Sequence, residues 1–282
     1  MTALVLCGGG SRGAVEVGLY RALVELGIRL DLVVGTSVGA INGAAIAAGV
    51  RPDALARLWR GLTHRNVFAL NRQLFWKLLW ADSLYDPRPL RRFLERNLPV
   101  RRFQSLAIPL IVTGTDFQTG QPVYWREGSL VDAIMASVAM PGLFPPQLVR
   151  GVQVVDGGIT DNVPIDVAVA EGADTVILIL CACCERTSRP VRGLLPILRR
   201  ALGIAIDRKY HADVQCYAGQ ARLLALEPEI GLEIDLLDFS HTSELIEQGY
   251  AAAVAALTAW APAGEGRDGP SQPDRGSVHG TR

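Results

Sequence analysis

The first fifty residues contain the same pattern twice: a short apolar run, a glycine-rich turn, and a segment with helical spacing. The run LVLC at residues 4–7 enters the turn GGGSRG, and residues 14–26 then carry apolar side chains at helical intervals. Residues 31–34 enter the turn GTSVG, and an alanine-rich segment follows at about 38–48. Two strand–turn–helix units in succession predict an α/β fold with a parallel sheet.

The rest of the chain continues to alternate between the two patterns. Further strands are predicted at residues 109–115, 123–125, 152–155, 175–180 and 222–226, and helices at 53–62, 88–97, 129–138, 191–216 and 243–260. We expect one domain over residues 1–261. Residues 262–282 consist largely of glycine, proline, serine and charged residues, so they predict a disordered C-terminal tail.

Charge and cysteine content limit the binding partners and the cellular compartment that the sequence favours. Lysine plus arginine and aspartate plus glutamate both number 28, so no net basic charge attracts nucleic acid or an anionic membrane, and lipid contact would depend on apolar surface. The N-terminus lacks the pattern of a secretory signal, and no apolar run reaches the roughly 18–20 residues of a membrane span. These features predict a cytoplasmic protein. Five cysteines predict free thiols, and Cys181 and Cys184 lack the further ligands of a metal site.

The glycine turn at residues 8–13 permits more than one interpretation. Gly8, Gly10 and Gly13 match the GxGxxG pattern of dinucleotide-binding proteins. Such a site needs an acidic residue at the end of the second strand, whereas Asp31 begins that strand. The backbone amides of the turn could instead stabilise an oxyanion, with Arg12 adding positive charge. A plain tight turn is the third interpretation.

The second turn, GTSVG, has the form of a nucleophile elbow. Ser37 lies between a predicted strand and a predicted helix, and Gly35 and Gly39 relieve crowding on both sides of it. The serine hydroxyl would then project at the carboxyl edge of the sheet, near the glycine turn. The alternative is that Ser37 only caps the following helix.

A nucleophilic serine needs a proton acceptor, and histidine is the usual one. His279 falls in the predicted tail, while His64 and His211 fall in predicted helical surroundings with many charges. His241 precedes a predicted helix, so it remains a candidate for a Ser–His–Asp hydrolase. None of the four has a recognisable motif around it.

A carboxylate offers a different acceptor. Predicted strand 152–155 ends at Asp156, which is followed by Gly157 and Gly158, so this carboxylate should reach the sheet edge. Burial beside an apolar pocket would raise its pKa and make it a stronger base. The alternative is an ordinary Asp-Gly turn residue.

Taken together, these motifs resemble those of the patatin-like phospholipases. The glycine-rich oxyanion block of that family is similar to Gly8, Gly9, Gly10, Ser11, Arg12 and Gly13. Its nucleophile elbow is similar to residues 35–39, its DG[GA] block to residues 156–158, and the segment before that block to residues 136–146. The resemblance covers about residues 4–180.

The resemblance implies a three-layer fold in which helices sandwich a mostly parallel sheet, and a Ser–Asp catalytic dyad without metal or cofactor. Ser37 would attack an acyl ester of a lipid, Asp156 would transfer its proton, and the amides from Gly9 to Arg12 would hold the oxyanion. The Ser–His–Asp esterase and a nucleotide-binding or regulatory module that uses the glycine turn remain the competing hypotheses.

One further segment bears on lipid access. Residues 71–80, NRQLFWKLLW, predict a helix that is apolar around most of its circumference. Such a helix could cover an acyl pocket or enter a lipid interface, where tryptophan is favoured, which would make the protein a peripheral membrane protein. A buried core helix is the alternative.

Overall fold

The structure, a computed structural model, describes residues 1–72, 81–181, 190–228 and 234–260. Its strands are β1 (Thr2–Leu6), β2 (Leu32–Thr36), β3 (Ala69–Leu70), β4 (Tyr85–Asp86), β5 (Leu110–Asp116), β6 (Pro122–Trp125), β7 (Gln147–Val149), β8 (Val152–Asp156), β9 (Thr175–Ile179) and β10 (Arg222–Leu226). Its helices are α1 (Ala14–Glu25), α2 (Val38–Ala47), α3 (Pro52–Arg60), α4 (His64–Val67), α5 (Arg88–Asn97), α6 (Leu130–Ser137), α7 (Ile165–Ala170), α8 (Leu194–Tyr217) and α9 (Thr242–Trp260).

A mixed sheet forms the centre of the fold. Strands β10, β9, β1, β2 and β5 follow one another in parallel, and β6, β7 and β8 join around β5. Both β6 and β8 run antiparallel to β5. Strands β1, β2 and β9 are almost entirely buried apolar residues, as a sheet covered on both faces requires.

Helices cover the two faces of this sheet. The steps from β1 to β2 and from β2 to β5 move in one direction across the sheet, and those from β8 to β9 and from β9 to β10 move in the other. Right-handed crossovers between parallel strands therefore place α1 and α2 on one face and α8 on the opposite face, and α7 packs against α8. Helix α9 packs along α1. The predicted fold class, a mostly parallel sheet sandwiched by helices, is confirmed.

The predicted elements correspond to observed ones with ends that differ by no more than three residues. Strands β3, β4 and β7 and helices α4 and α7 were not predicted, because elements this short contain too few residues to display a period. Most of the predicted helix at 71–80 and all of the predicted tail lie outside the described residues. Within the described ranges, no helix is long and apolar enough to cross a bilayer.

Helices α1 and α9 approach so closely that glycine is required on both. A Cβ atom added at Gly18 would lie 2.2 Å from the Ile246 carbonyl oxygen, and one added at Gly249 would lie 2.2 Å from the Val15 carbonyl oxygen. These distances are below any van der Waals contact, and the atoms in the way are backbone. The two glycines therefore set the separation of the two helices.

We expect Gly249→Ala to destabilise the protein, because the added methyl group forces α9 away from α1. Overpacking of this kind costs about 2 kcal/mol, which lowers Tm by roughly 4–8 °C in a protein of this size. Thermal unfolding followed by circular dichroism measures the change. Gly219→Ala is the matched control, because a Cβ there meets nothing within 4 Å. Equal Tm values for the two variants would contradict the close helix contact.

Candidate active site

The site forms where two strands meet end to end along β5. Val112 pairs with Gly35 of β2 and also with Trp125 of β6, so β2 and β6 occupy opposite edges of β5. Gly114 pairs with both β6 and Asp156 of β8. Strand β8 therefore continues along the same edge of β5 that β2 occupies, in the opposite direction. The last residue of β8 and the residue after β2 consequently face each other.

Ser37 occupies a strained turn between β2 and α2. Its backbone has φ 54° and ψ −121°, a conformation that residues with side chains rarely adopt. A Cβ at Gly35 would lie 2.5 Å from the carbonyl oxygen of Gly39, and one at Gly39 would lie 2.4 Å from that of Leu6. Both flanking glycines are therefore needed for the turn. The amide of Ser37 donates a 2.8 Å hydrogen bond to the hydroxyl of Ser137.

The Ser37 hydroxyl donates to Asp156 rather than capping the helix. Its Oγ lies 2.7 Å from Asp156 Oδ2, and no side-chain capping bond joins it to α2. Asp156 Oδ1 accepts a 2.8 Å bond from the amide of Gly158, so this carboxylate is also the turn residue of the alternative interpretation. The two interpretations of Asp156 are compatible, since each of its oxygens makes one contact.

Burial perturbs this carboxylate. Asp156 is 3% exposed, and loss of solvation raises its pKa from 3.8 to about 6, although the hydrogen bonds from Ser37 and Gly158 act in the opposite direction. Glycines after it permit the close packing: a Cβ at Gly157 would lie 2.6 Å from the Thr113 carbonyl oxygen. A carboxylate with a pKa near 6 accepts a proton more readily than an ordinary one.

The glycine turn lies at the same edge, and Asn162 holds it there. The amide of Gly8 donates to Asn162 Oδ1 at 3.1 Å, and the Asn162 amide group donates back to the Gly8 carbonyl at 3.5 Å. A Cβ at Gly8 would lie 3.1 Å from the Cβ of Ser37, so the turn passes directly beside the serine. The tight-turn interpretation is correct as far as conformation goes, since Gly10 has φ +58°.

The turn offers fewer amides than the sequence suggests. The amide of Ser11 donates to the Leu236 carbonyl at 2.7 Å, and that of Arg12 to the Gly9 carbonyl at 3.3 Å. The guanidinium of Arg12 is buried and donates to the Ile234 carbonyl. Ser11 and Arg12 therefore stabilise the turn instead of pointing amides at Ser37. Among the hydrogen bonds of the described residues, none involves the amide of Gly9 or that of Gly10 at the start of the turn.

The dinucleotide interpretation of the glycine turn requires an acidic residue at the end of β2, and β2 ends at Thr36 instead. Asp31 lies immediately before β2, at the opposite end of the strand, where its Oδ2 accepts a 2.8 Å bond from the amide of Thr2. In a dinucleotide site an acidic residue near the turn would hold the ribose. Asp31 cannot do so from the far edge of the sheet.

An apolar cavity opens from Ser37 and Asp156 on the α2 face of the sheet. It encloses about 1050 Å³ of empty space, counting its opening to solvent. Gly10, Ser37 and Asp156 lie at its polar end. The apolar lining comes from α2, α3 and α5, from the aromatic residues Trp59, Phe68, Phe93, Phe144 and Phe239, and from the segment Leu236–Leu237.

The described histidines lie away from the Ser37–Asp156 pair. His241 is half exposed, and its ring nitrogens face Asp238 and Glu244. His211 faces Asp207 on α8, and His64 contacts the rings of Phe68 and Tyr85. Among these three, none has a hydrogen bond to Ser37. The geometry of the described residues therefore does not support a Ser–His–Asp arrangement.

A buried polar cluster lies behind the glycine turn. Cys7, Glu16 and Cys181 have ligand-type atoms within 4.8 Å of one another, which is the spacing of a metal site. Each nevertheless has a partner in the protein: the Cys181 thiol donates to Glu16 Oε1, and Asn42 donates to Glu16 Oε2 at 2.7 Å. Burial raises the pKa of Glu16 from 4.5 to about 8, so it is largely neutral near pH 7. Trp59 donates to Asn42 and links this cluster to the cavity wall.

Two residues of the site were missed by sequence reasoning. Ser137 lies within the predicted block 136–146, but nothing in its spacing identifies it as the acceptor of the Ser37 amide. Asn162 lies six residues after Asp156, and its contact with Gly8 spans 154 positions of the chain. The sequence carried no signal for this contact, because the burial of Asn162, which makes a partner necessary, is visible only in the fold.

The sequence is similar to known proteins over most of its length. The sequence model described as patatin-like phospholipase matches residues 4–169. An uncharacterized NTE family protein of Mycobacterium tuberculosis is 31% identical over 91% of this chain and 46% of its own length. Patatin-like phospholipase domain-containing protein 6 of Mus musculus is 31% identical over 63% of this chain and 13% of its own. The chain spans about half the length of the first curated relatives it matches.

A solved structure shares the fold. The crystal structure of VipD from Legionella pneumophila superposes with a TM-score of 0.50 and 14% sequence identity, covering 92% of this chain and 66% of that one. At this level of identity the likeness concerns the fold alone.

Replacing Asp156 should change how stability depends on pH. The folded-state pKa of about 6 exceeds the ordinary 3.8. The protonated carboxyl therefore adds to the free energy of unfolding in full below about pH 4, and this contribution is lost as pH rises through about 6. We expect Asp156→Asn, which cannot ionise, to be more stable than the parent at about pH 8. The advantage should shrink towards about pH 4.

Urea unfolding at several pH values measures this difference. Asp82→Asn, at an exposed aspartate, is the control and should keep the parent's dependence on pH. If Asp156→Asn is no more stable than the parent at about pH 8, burial does not dominate the environment of Asp156.

Proposed function

The chain belongs to the patatin-like phospholipase family, and from that premise we propose that it is a serine acyl hydrolase that cleaves carboxylic esters of lipids. The single observation that supports this most is the 2.7 Å contact between Ser37 Oγ and Asp156 Oδ2 at the end of an apolar cavity. A nucleophile, a base and an acyl-binding wall are thereby adjacent.

The proposed reaction has two stages. Asp156 accepts the proton of Ser37 while Oγ attacks the ester carbonyl, and the carbonyl oxygen becomes an oxyanion. The Gly9 and Gly10 amides and the N-terminus of α2 stabilise that charge. Asp156 then protonates the leaving alcohol. In the second stage Asp156 takes a proton from water, the resulting hydroxide attacks the acyl-serine, and the fatty acid leaves as Ser37 recovers its proton.

The cavity favours a long acyl chain as the part of the substrate that is recognised. Its lining is apolar apart from the end at Ser37 and Asp156 and the side chain of Asn97. Burial of an alkyl chain contributes about 0.8 kcal/mol for each methylene. We therefore propose a phospholipid or lysophospholipid as the substrate class, in agreement with the name of the mouse relative.

The dependence of activity on pH should report Asp156. Only the ionised carboxylate can accept the Ser37 proton, so we expect kcat/KM to increase with pH and to level off above the raised pKa of about 6. Initial rates with a p-nitrophenyl acyl ester, corrected for its spontaneous hydrolysis, measure this profile. If kcat/KM instead levelled off above the ordinary carboxylate pKa of about 4, the base would not lie in a desolvated site.

Labelling and lipid hydrolysis test the proposal directly. We expect a fluorophosphonate probe to label the parent but not Ser37→Ala, and we expect Ser37→Ala and Asp156→Asn each to lose on the order of 10³-fold or more in kcat. Mass spectrometry of the products from phospholipid and lysophospholipid identifies the ester that is cleaved. His241→Ala is the control and should retain the parent's activity, because its ring contacts only exposed acids.

Two outcomes would favour the competing functions. Loss of activity in His241→Ala with retention in Asp156→Asn would identify a Ser–His–Asp esterase. An unlabelled parent that binds a nucleoside diphosphate in calorimetry would identify a nucleotide-binding module.

A further inference from the structure

Helix α8 is much longer than the sheet that it crosses. It has 24 residues, or about 36 Å at 1.5 Å per residue, whereas β9 has five residues, about 17 Å. The helix connects β9 to the parallel strand β10, so it begins near the carboxyl edge of the sheet, where Ser37 lies, and ends at the amino edge. Part of α8 must therefore extend beyond the sheet.

The position of Lys209 shows which part extends. Its Nζ lies 2.9 Å from Asp161 Oδ1, and the carbonyl of Asp161 accepts a 3.0 Å bond from the hydroxyl of Thr36, the last residue of β2. Lys209 is thus level with the carboxyl edge. Towards the C-terminus of α8 from Lys209, Tyr210 is buried and Val214 packs against the core. Residues 194–208, about 22 Å of helix, project past the edge; we call residues 190–208 the α8 arm.

The solvent-facing side of the arm is apolar. Exposed positions recur at helical spacing along α8, and between Pro196 and Asp207 they are Pro196, Ile197, Leu198, Ala201, Ile204 and Ala205. Ile197, Leu198 and Ile204 are 50%, 56% and 46% exposed. Further along the same side the exposed residues are Arg208, His211, Ala212, Gln215 and Cys216. The stripe therefore changes from apolar to mostly polar where the helix reaches the sheet.

The arm carries a net positive charge. Residues 190–208 contain four arginines and one acidic residue, Asp207, which faces His211, although the whole chain has zero formal charge. Arginines next to an apolar helix can keep their guanidinium groups at the level of phosphate headgroups while the aliphatic residues enter the acyl region. The arm thus complements an anionic lipid surface in both respects.

The arm also points towards the side from which the candidate site opens. Ser37 and Gly10 lie at the carboxyl edge, and two other exposed apolar residues lie there too: Ile159, which follows the glycines after Asp156, and Phe117, which follows β5. A flat surface that meets the arm would face this edge of the sheet.

We propose that the α8 arm docks the protein on bilayers that contain anionic phospholipid, its apolar stripe entering the interface and its arginines contacting the headgroups. The choice of a lipid partner rests on the proposed lipid hydrolase function. The projecting N-terminal part of the arm enters the surface at an angle, with the carboxyl edge of the sheet towards the bilayer; it does not cross the bilayer. Docking brings the acyl cavity to its substrate and so acts on hydrolysis of vesicles but not of soluble esters.

Vesicle co-sedimentation with matched variants tests the arm. The arm variant is Ile197→Gln with Ile204→Gln; the control is Val24→Gln with Leu26→Gln, whose residues are 49% and 46% exposed and lie at the amino edge. Vesicles are made of ether-linked phosphatidylcholine with ether-linked phosphatidylglycerol, which an esterase cannot hydrolyse. We expect the arm variant to bind at least about tenfold more weakly than the parent and the control to bind like the parent.

Charge and oligomeric state provide two further readouts. Arg192→Gln with Arg200→Gln should weaken binding to the phosphatidylglycerol vesicles and reduce its sensitivity to salt. Equal vesicle binding by the parent and the arm variant would overturn the proposal. Sedimentation velocity in which the parent is a dimer and the arm variant a monomer, without vesicle binding by either, would overturn it in favour of a second copy of the chain on the stripe.

The test separates this inference from the proposed function. All variants should hydrolyse a soluble p-nitrophenyl ester like the parent, since none of the changed residues lines the cavity. A parent that binds vesicles through the arm but hydrolyses no ester would refute the function and leave the docking arm supported. A parent that hydrolyses the soluble ester but does not bind vesicles would refute the arm alone.

Discussion

The site depends on the length of β5. This strand has seven residues and its neighbour β2 has five, so the end of β5 extends past β2 with one edge unpaired by it. Strand β8 pairs with that remaining edge from the opposite direction and stops at Asp156, opposite Ser37. Backbone pairing along a single strand thus determines a side-chain distance of 2.7 Å. Neither the serine turn nor the aspartate turn could achieve this separately.

Much of the fold was predictable because the information was local. The apolar runs and glycine turns around residues 4–50 specify strand, turn and helix over short distances, and Ser37 follows from them. Asp156 was predicted at a strand end for an incomplete reason. No direction was predicted for that strand, because an apolar pattern does not encode strand direction, and β8 is antiparallel to β5. Its role as base and the oxyanion role of the glycine turn stay predictions.

The features missed by sequence analysis are contacts between distant parts of the chain. Asn162 holds Gly8, Ser137 holds the Ser37 amide, and the segment at Ile234–Leu236 engages the amide and guanidinium of the glycine turn. No periodicity or motif reports such pairs. The buried carboxyl groups of Asp156 and Glu16 illustrate the same point, since their raised pKa values arise from surroundings that only the folded chain assembles.

The contacts of the glycine turn with residues 234–236 have a consequence for synthesis of the protein. The family match ends at residue 169, yet the turn that begins at residue 8 is braced by carbonyls more than 220 positions later, and α9 then clamps α1 through Gly249. A nascent chain emerging from a ribosome would already contain Ser37 and Asp156 while its glycine turn still lacked these braces. Because these braces come last in the chain, the surroundings of Ser37 are complete only when nearly all of the described length has been made.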